Sequence, residues 1–123
     1  MVYKHIVMWK FKVQHNGKSA LENARWMKEQ LEGLVGVVPE LLSAEVGISP
    51  ALEQAATVPS NAAADAAAPA PAASGEYDAC LVSTFASPEA LAAYKVHPKH
   101  KAISAYCKEA RLKRLAFDWW SEE

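Results

Sequence analysis

The sequence has few of the residues that would indicate a metal site, a disulfide or a covalent catalyst. It contains two cysteines, Cys80 and Cys107, which stand in different predicted elements without the spacing of metal ligands. Such a pair is typical of reduced core thiols, so we expect a cytoplasmic protein and do not expect a disulfide. Ser83, Ser87 and Ser104 stand in no nucleophile motif, so the sequence identifies no covalent catalyst.

A strong charge of one sign is also missing. The formal net charge is -1, and the 13 lysines and arginines are scattered along the chain. This distribution provides no attractive field for nucleic acid or for an anionic membrane, so neither is expected as a partner. Lys4, Lys10 and Lys12 interrupt the apolar N-terminal stretch, which favours a strand over a signal peptide or a membrane span.

The 123 residues show a regular succession of strands and helices, enough for one domain with a modest core. Ser19 and Glu22 fit a capping box at the start of a first helix. Ser87 and Pro88 are typical of the start of a second helix, which Pro98 breaks before it begins a third. Alternating apolar residues predict four strands, at 3–13, 40–48, 76–85 and 111–120.

The composition changes at about 55–75. The 21 residues from Ala55 to Gly75 contain eleven alanines and three prolines. The prolines leave no stretch long enough for a stable isolated helix, so we interpret the segment as a flexible surface insertion in the single domain. A lid over a cavity is the functional alternative.

The element order β-α-β-β-α-β predicts a ferredoxin-like α+β fold, with an antiparallel sheet covered by helices on one face. The other face would expose an apolar patch larger than a soluble monomer usually tolerates. A second copy of the chain is the simplest cover, so we expect a homodimer in which two sheets form a barrel. The residues expected on the uncovered face are either Ile6, Met8, Cys80, Val82, Leu115 and Phe117 or the residues that alternate with them along the same strands.

Groups able to act as acids or bases cluster in one place, where Tyr94, His97 and His100 surround Pro98. A phenol and an imidazole there can meet at one wall of a cavity. The alternative is that the histidines cap helices and bind backbone carbonyls. A metal site is not predicted, because no carboxylate or thiolate stands at ligand spacing from the two histidines.

Four sequence stretches together resemble the stress-responsive A/B barrel (Dabb) family. They are K-H-I-V-M-W-K-F-K, V-P-E-L before a strand ending in E-V-G, Y-D-A-C-L-V-S-T-F-A-S-P-E-A-L-A-A-Y, and H-P-K-H. The resemblance implies a dimeric α+β barrel. In an olivetolic acid cyclase-type branch, it also implies polyketide cyclisation without metal or cofactor, by residues that match Tyr94 and His100, with a first-strand histidine matching His5.

The expected functional site is a cavity between the His5 face of the sheet and the helices. There His100 is the candidate proton acceptor and Tyr94 the donor. Three functions remain open: binding of a small, partly apolar molecule such as a carboxylic acid or polyketide, cofactor-free cyclase or lyase chemistry, and a structural role with a closed cavity. The bulky side chain of Trp9 distinguishes these functions. If it fills the cavity, the structural role is favoured, and if the cavity stays open, binding or catalysis is favoured. The predicted binding residues are His5, Val7, Trp9, Met27, Leu31, Leu81, His97, Ile103 and Arg114.

Overall fold

The computed structural model describes residues 1–57 and 76–122. The strands are β1 (Val2–Phe11), β2 (Gln14–His15), β3 (Lys18–Ser19), β4 (Ser43–Ile48), β5 (Ala79–Phe85) and β6 (Arg111–Ser121). The helices are α1 (Ala20–Glu32), α2 (Pro50–Thr57), α3 (Pro88–Val96) and α4 (Pro98–Ala110). Within the two described ranges, no helix is long and apolar enough to cross a membrane.

Four strands form one antiparallel sheet in the order β4, β5, β1 and β6. Side chains of α1, α3 and α4 share one buried core with one face of this sheet. The two strands at the ends of the chain therefore lie side by side, and the helices cover a single face. This arrangement confirms the ferredoxin-like α+β fold predicted from the order of the elements.

The structure contains two elements that the sequence pattern did not predict. Asn16 and Gly17 have positive φ values of 57° and 75° and form the two-residue turn of a β2–β3 hairpin. Helix α2 begins at Pro50, where the carbonyl of Ser49 accepts bonds from the first turn. Residues 55–57 of the insertion predicted at about 55–75 belong to the end of α2, and the rest of the insertion lies outside the described residues.

The two faces of the sheet differ in their surroundings. The face toward the helices is buried at Val7, Trp9, Phe11, Val46, Leu81 and Phe85. On the opposite face, Leu115 is 51% exposed and Phe117 is 63% exposed. We call this second surface the bare face, and strand register places on it Ile6, Met8, Cys80, Val82, Leu115 and Phe117.

Helix α1 closes the outer edge of β4. The ammonium of Lys28 donates a hydrogen bond to the carbonyl of Val46 at 2.8 Å, and the carboxylate of Glu32 accepts one from the Val46 N–H at 2.8 Å. The bond from Lys28, together with that from Val46, lowers the pKa of Glu32. The backbone N–H and carbonyl of Val46 point away from β5 and have no strand partner there. Side chains of α1 therefore supply their hydrogen bonds.

Asp78, which directly precedes β5, joins three parts of the chain. Its carboxylate accepts hydrogen bonds from the backbone N–H of Phe11 at 2.9 Å and from the ammonium of Lys10 at 3.1 Å. Its own N–H donates to the carbonyl of Trp9, and its carbonyl accepts from the N–H of Ser49. Because Asp78 is only 3% exposed, these partners are what make its burial tolerable.

Asp78→Ala should lower the free energy of unfolding by about 1–3 kcal/mol, because the buried N–H of Phe11 loses its acceptor. Urea denaturation measures the difference. Glu76→Ala is the matched control: its carboxylate pairs with Lys113 at the surface, so its removal should leave the midpoint nearly unchanged. Equal destabilisation by both substitutions would contradict the role assigned to Asp78.

Candidate functional site

A cavity of about 290 Å³ lies between the helix-covered face of the sheet and the helices. Trp9 is only 5% exposed and stands in the cavity wall, yet it leaves the cavity open. The apolar part of the wall comes from β1, α1, β5 and α4. It consists of Val7, Trp9, Met27, Leu31, Leu81 and Ile103.

His5 lies in this wall as half of a histidine–carboxylate pair. Register places His5 of β1 directly opposite Asp118 of β6, and its Nδ1 is 2.5 Å from an Asp118 oxygen. A carboxylate oxygen accepts, so Nδ1 carries the proton and Nε2 of the neutral ring is left as an acceptor. Burial lowers the pKa of His5, although Asp118 acts in the opposite direction.

His100 of α4 lines the same cavity with the same tautomer. Its Nδ1 is 3.3 Å from the carbonyl oxygen of Lys95, which can only accept, so Nδ1 donates and Nε2 is left as an acceptor. Burial lowers the pKa of His100, and the positive charges of Lys95 and Arg114 lower it further. The cavity therefore contains two imidazoles that favour the neutral, proton-accepting form.

Tyr94 lies next to the cavity and is not part of its wall. Its ring packs against the rings of His100 and Phe85, at centroid distances of 4.3 and 5.1 Å. Tyr94 is fully buried, and its hydroxyl has no hydrogen-bond partner among the described residues. Burial raises the pKa of this phenol, which therefore stays protonated at neutral pH.

His97 is not placed in the cavity wall. Pro98 holds His97 in extended backbone geometry, with φ −64° and ψ 134°, and its Nδ1 accepts from the N–H of Lys99 at 3.1 Å. The side chain is thus used as the N-cap of α4. The structure thus shows the capping alternative for this residue, and its predicted binding role stays a prediction.

The other predicted binding residues, His5, Arg114 and the six apolar ones, share the wall with His100. Sequence reasoning missed Asp118, which bonds His5 from outside the wall, and five residues of the wall itself. Three of these, Ser104, Cys107 and Lys108, continue the helical face of His100 and Ile103 at three- and four-residue spacing, which is the signal that identifies them. The missed wall residues are Lys95, Ser104, Cys107, Lys108 and Arg111.

Cys107 and the histidines do not form a metal centre in the described structure. Among residues 1–57 and 76–122, no three His, Cys, Asp or Glu side chains are grouped so that they could hold a metal ion. Burial raises the pKa of Cys107 to about 11, so the group in the wall is a neutral thiol. The cavity wall therefore consists of hydrogen-bond acceptors, cationic side chains and apolar surface.

Comparison with known proteins confirms the predicted resemblance to the Dabb family over the C-terminal half of the sequence. Residues 63–121 match the model of the Stress responsive A/B Barrel Domain, Dabb. No curated protein matches the sequence.

Solved structures share the fold at low identity. A dimeric ferredoxin-like protein of unknown function from Bacteroides fragilis has 21% identity and a TM-score of 0.71, over 98% of this chain and 96% of that one. A Dabb family protein from Mesorhizobium loti has 15% identity and a TM-score of 0.61, over 99% and 98%. The hydroxynitrile lyase from Passiflora edulis has 15% identity and a TM-score of 0.67, over 99% and 95%.

Stability should fall when the pH drops from about 7.5 to about 5.5. Burial holds the pKa of His5 and of His100 below the ordinary value of about 6.5, so the unfolded chain binds protons that the folded chain does not. This contribution to stability is complete above about pH 6.5 and is lost as the pH falls toward the folded-state values. Urea denaturation at both pH values measures the loss.

The double variant His5→Asn, His100→Gln lacks both rings and should lose less stability over the same pH interval. Comparing the change in the free energy of unfolding with pH, rather than its absolute value, removes the pH-independent destabilisation caused by the substitutions. A slope equal to that of the unsubstituted protein would show that the two histidines are not the source of the pH dependence.

Proposed function

We propose that the protein binds a small, partly apolar organic molecule in the cavity between the sheet and the helices. The observation that carries this proposal is an open volume of about 290 Å³ despite the large Trp9 side chain in its wall. An apolar wall with a few convergent polar groups is typical of small-molecule sites. A purely structural role does not require such a space, because protein interiors are normally close-packed.

Different residues around the cavity would contact different parts of the ligand. Met27, Leu31 and Leu81 would contact the apolar part of the ligand, where burial of apolar surface contributes about 25 cal/mol per Å². His5 and His100 would accept hydrogen bonds from hydroxyl or amide groups through Nε2. Specificity would then arise from the positions of these few acceptors.

Ligand binding should raise the melting temperature of the protein. A compound at about 100 times its Kd adds about 2.7 kcal/mol to the free energy of unfolding. Aromatic and medium-chain carboxylic acids, the corresponding alcohols and short polyketide analogues are suitable probes for differential scanning fluorimetry. No shift with any of them at millimolar concentration would contradict the proposal.

Two tryptophan substitutions on α4 locate the binding site. Ser104 lines the cavity, whereas the neighbouring Ala105 is exposed and not part of the wall. Ser104→Trp should therefore abolish the thermal shift by filling the cavity, and Ala105→Trp should retain it. Equal shifts in both variants would place binding elsewhere.

A second candidate function is cofactor-free acid–base catalysis of the cyclase or lyase type. The specific observation that favours it is that two imidazoles, each donating through Nδ1 and keeping Nε2 as an acceptor, line one cavity. His100 would accept a proton from the substrate, while the pair of His5 and Asp118 orients or polarises a substrate group. Tyr94, which packs on His100, would position that ring and could donate from its hydroxyl only after a side-chain movement.

His100→Ala should reduce turnover by about 10²–10⁴-fold and leave binding largely intact, because the proton acceptor is lost while the apolar wall remains. Suitable substrates are an aromatic hydroxynitrile, followed by aldehyde release, and a linear polyketide analogue, followed by absorbance. Ser104→Ala is the matched control in the same wall. Absence of turnover with both substrate classes, combined with tight binding, would favour the binding function.

The bare face supports a proposal of homodimerisation. It presents large apolar side chains to solvent, and the related fold from Bacteroides fragilis is described as dimeric. Packing two bare faces together would form a barrel and remove this surface from water. Cys80 lies on this face and Cys107 on the helix side, so the sheet separates the two free thiols, as suits a reducing, cytoplasmic location.

Phe117→Lys should convert the dimer into a monomer at micromolar concentration. Phe117 is 63% exposed in the single chain, so the substitution should disturb the fold little while placing an unpaired charge in the interface. Sedimentation velocity measures the change. Gln30→Lys on the exposed side of α1 is the control and should remain dimeric, and an unsubstituted protein that sediments only as a monomer would contradict the proposal.

A further inference from the structure

Four cationic side chains from three elements line the cavity. Lys95 comes from α3, Lys108 from α4, and Arg111 and Arg114 from β6. Within the described part of the chain, no acidic side chain lines the cavity. The salt bridges found among the described residues also leave these four cations without a carboxylate partner.

The positive charge of these side chains also affects the two histidines of the cavity. Lys95 and Arg114 contribute to lowering the pKa of both His5 and His100, after the larger effect of burial. The carboxylate of Asp118, which opposes this effect at His5, is already bonded to His5. An uncharged ligand would leave this mutual repulsion between cations in place, whereas an anion would relieve it.

The cavity is also divided by polarity. Leu31, Leu81 and Met27 are buried, with exposed fractions of 1–2%. Lys95, Lys108 and Arg114 are exposed, so the cations lie on the solvent side of the apolar wall. A ligand that matches both regions has an apolar body and an anionic head that stays close to water.

We propose that the ligand is an amphiphile whose head group is a phosphate or another multiply charged anion. A carboxylate has two coplanar oxygens and a single charge, which can engage one guanidinium fork and leaves the other cations unneutralised. A phosphate monoester presents three peripheral oxygens and nearly two negative charges at neutral pH. Arg111 and Arg114 can bind such a head through two donors each, and Lys95 and Lys108 act as point charges.

This inference rests on the proposed ligand-binding function, and a series of probes separates the two. 1-Octanol, octanoate and octyl phosphate share one apolar chain and differ in head charge, and inorganic phosphate supplies the head alone. Titration calorimetry at fixed ionic strength should show octyl phosphate binding at least about tenfold more tightly than 1-octanol, with octanoate between them. Inorganic phosphate should bind most weakly of the charged probes.

The other outcomes of this series would overturn different parts of the proposal. Equal affinity for 1-octanol and octyl phosphate would keep the binding function and overturn the anionic head. Octanoate binding as tightly as octyl phosphate would overturn the multiply charged head, and inorganic phosphate binding as tightly would overturn the amphiphile. Failure of all four probes would overturn the binding function and this inference together.

Substitution of the cations tests their role directly. Arg114→Gln and Lys108→Gln should each weaken octyl phosphate binding by roughly tenfold and leave the affinity for 1-octanol unchanged. Arg25→Gln, on the exposed side of α1, is the matched control and should leave both affinities unchanged. A loss for both probes in the cavity variants would indicate structural damage and reject the electrostatic role.

The head group has two possible sources, a soluble metabolite or a membrane phospholipid. Octyl phosphate below its micellar concentration represents the first, and vesicles containing phosphatidic acid represent the second. We expect binding of the free amphiphile. Retention on vesicles without any binding of free octyl phosphate would overturn the cavity as the site of recognition.

Discussion

The antiparallel register between β1 and β6 is the constraint on which the candidate site depends. It sets His5 opposite Asp118 and Trp9 opposite Arg114, all on the face toward the helices. Side chains alternate between faces along a strand, so a slip of β6 by one residue would move Asp118 and Arg114 to the bare face and separate Asp118 from His5. The polarity of the cavity and the apolar character of the bare face therefore have the same origin.

Local signals allowed much of the fold to be predicted from the sequence. Ser19 forms the expected capping box with Glu22, and Ser87 accepts the expected bond at the start of α3, because both contacts involve residues three apart. Alternation along β1 likewise identified the wall residues Val7 and Trp9. Helix α2 is missed because its last three residues, 55–57, fall in the alanine-rich composition assigned to the insertion, which leaves only five residues before it.

The remaining parts of the site depend on contacts between residues that are far apart in sequence. Asp118 is 113 positions from His5, and only the register of two paired strands brings them together. His97 shows the opposite case: the same proline that marked it as a candidate also fixed it as a cap. Residue type and spacing therefore identified the helical face that carries His100, but could not distinguish a side chain turned toward the cavity from one used by the backbone.

The hydrogen bonds of Lys28 and Glu32 to Val46 have a consequence for how sheets of different molecules can join. They occupy backbone groups on the free side of β4, so another chain cannot add a strand there without first displacing a charged pair. Among the strands that the structure describes, β6 is then the outer strand left for edge-to-edge joining. A unit with one usable edge can form a pair but cannot extend into a continuous ribbon, so the α1 side chains make any such association self-limiting.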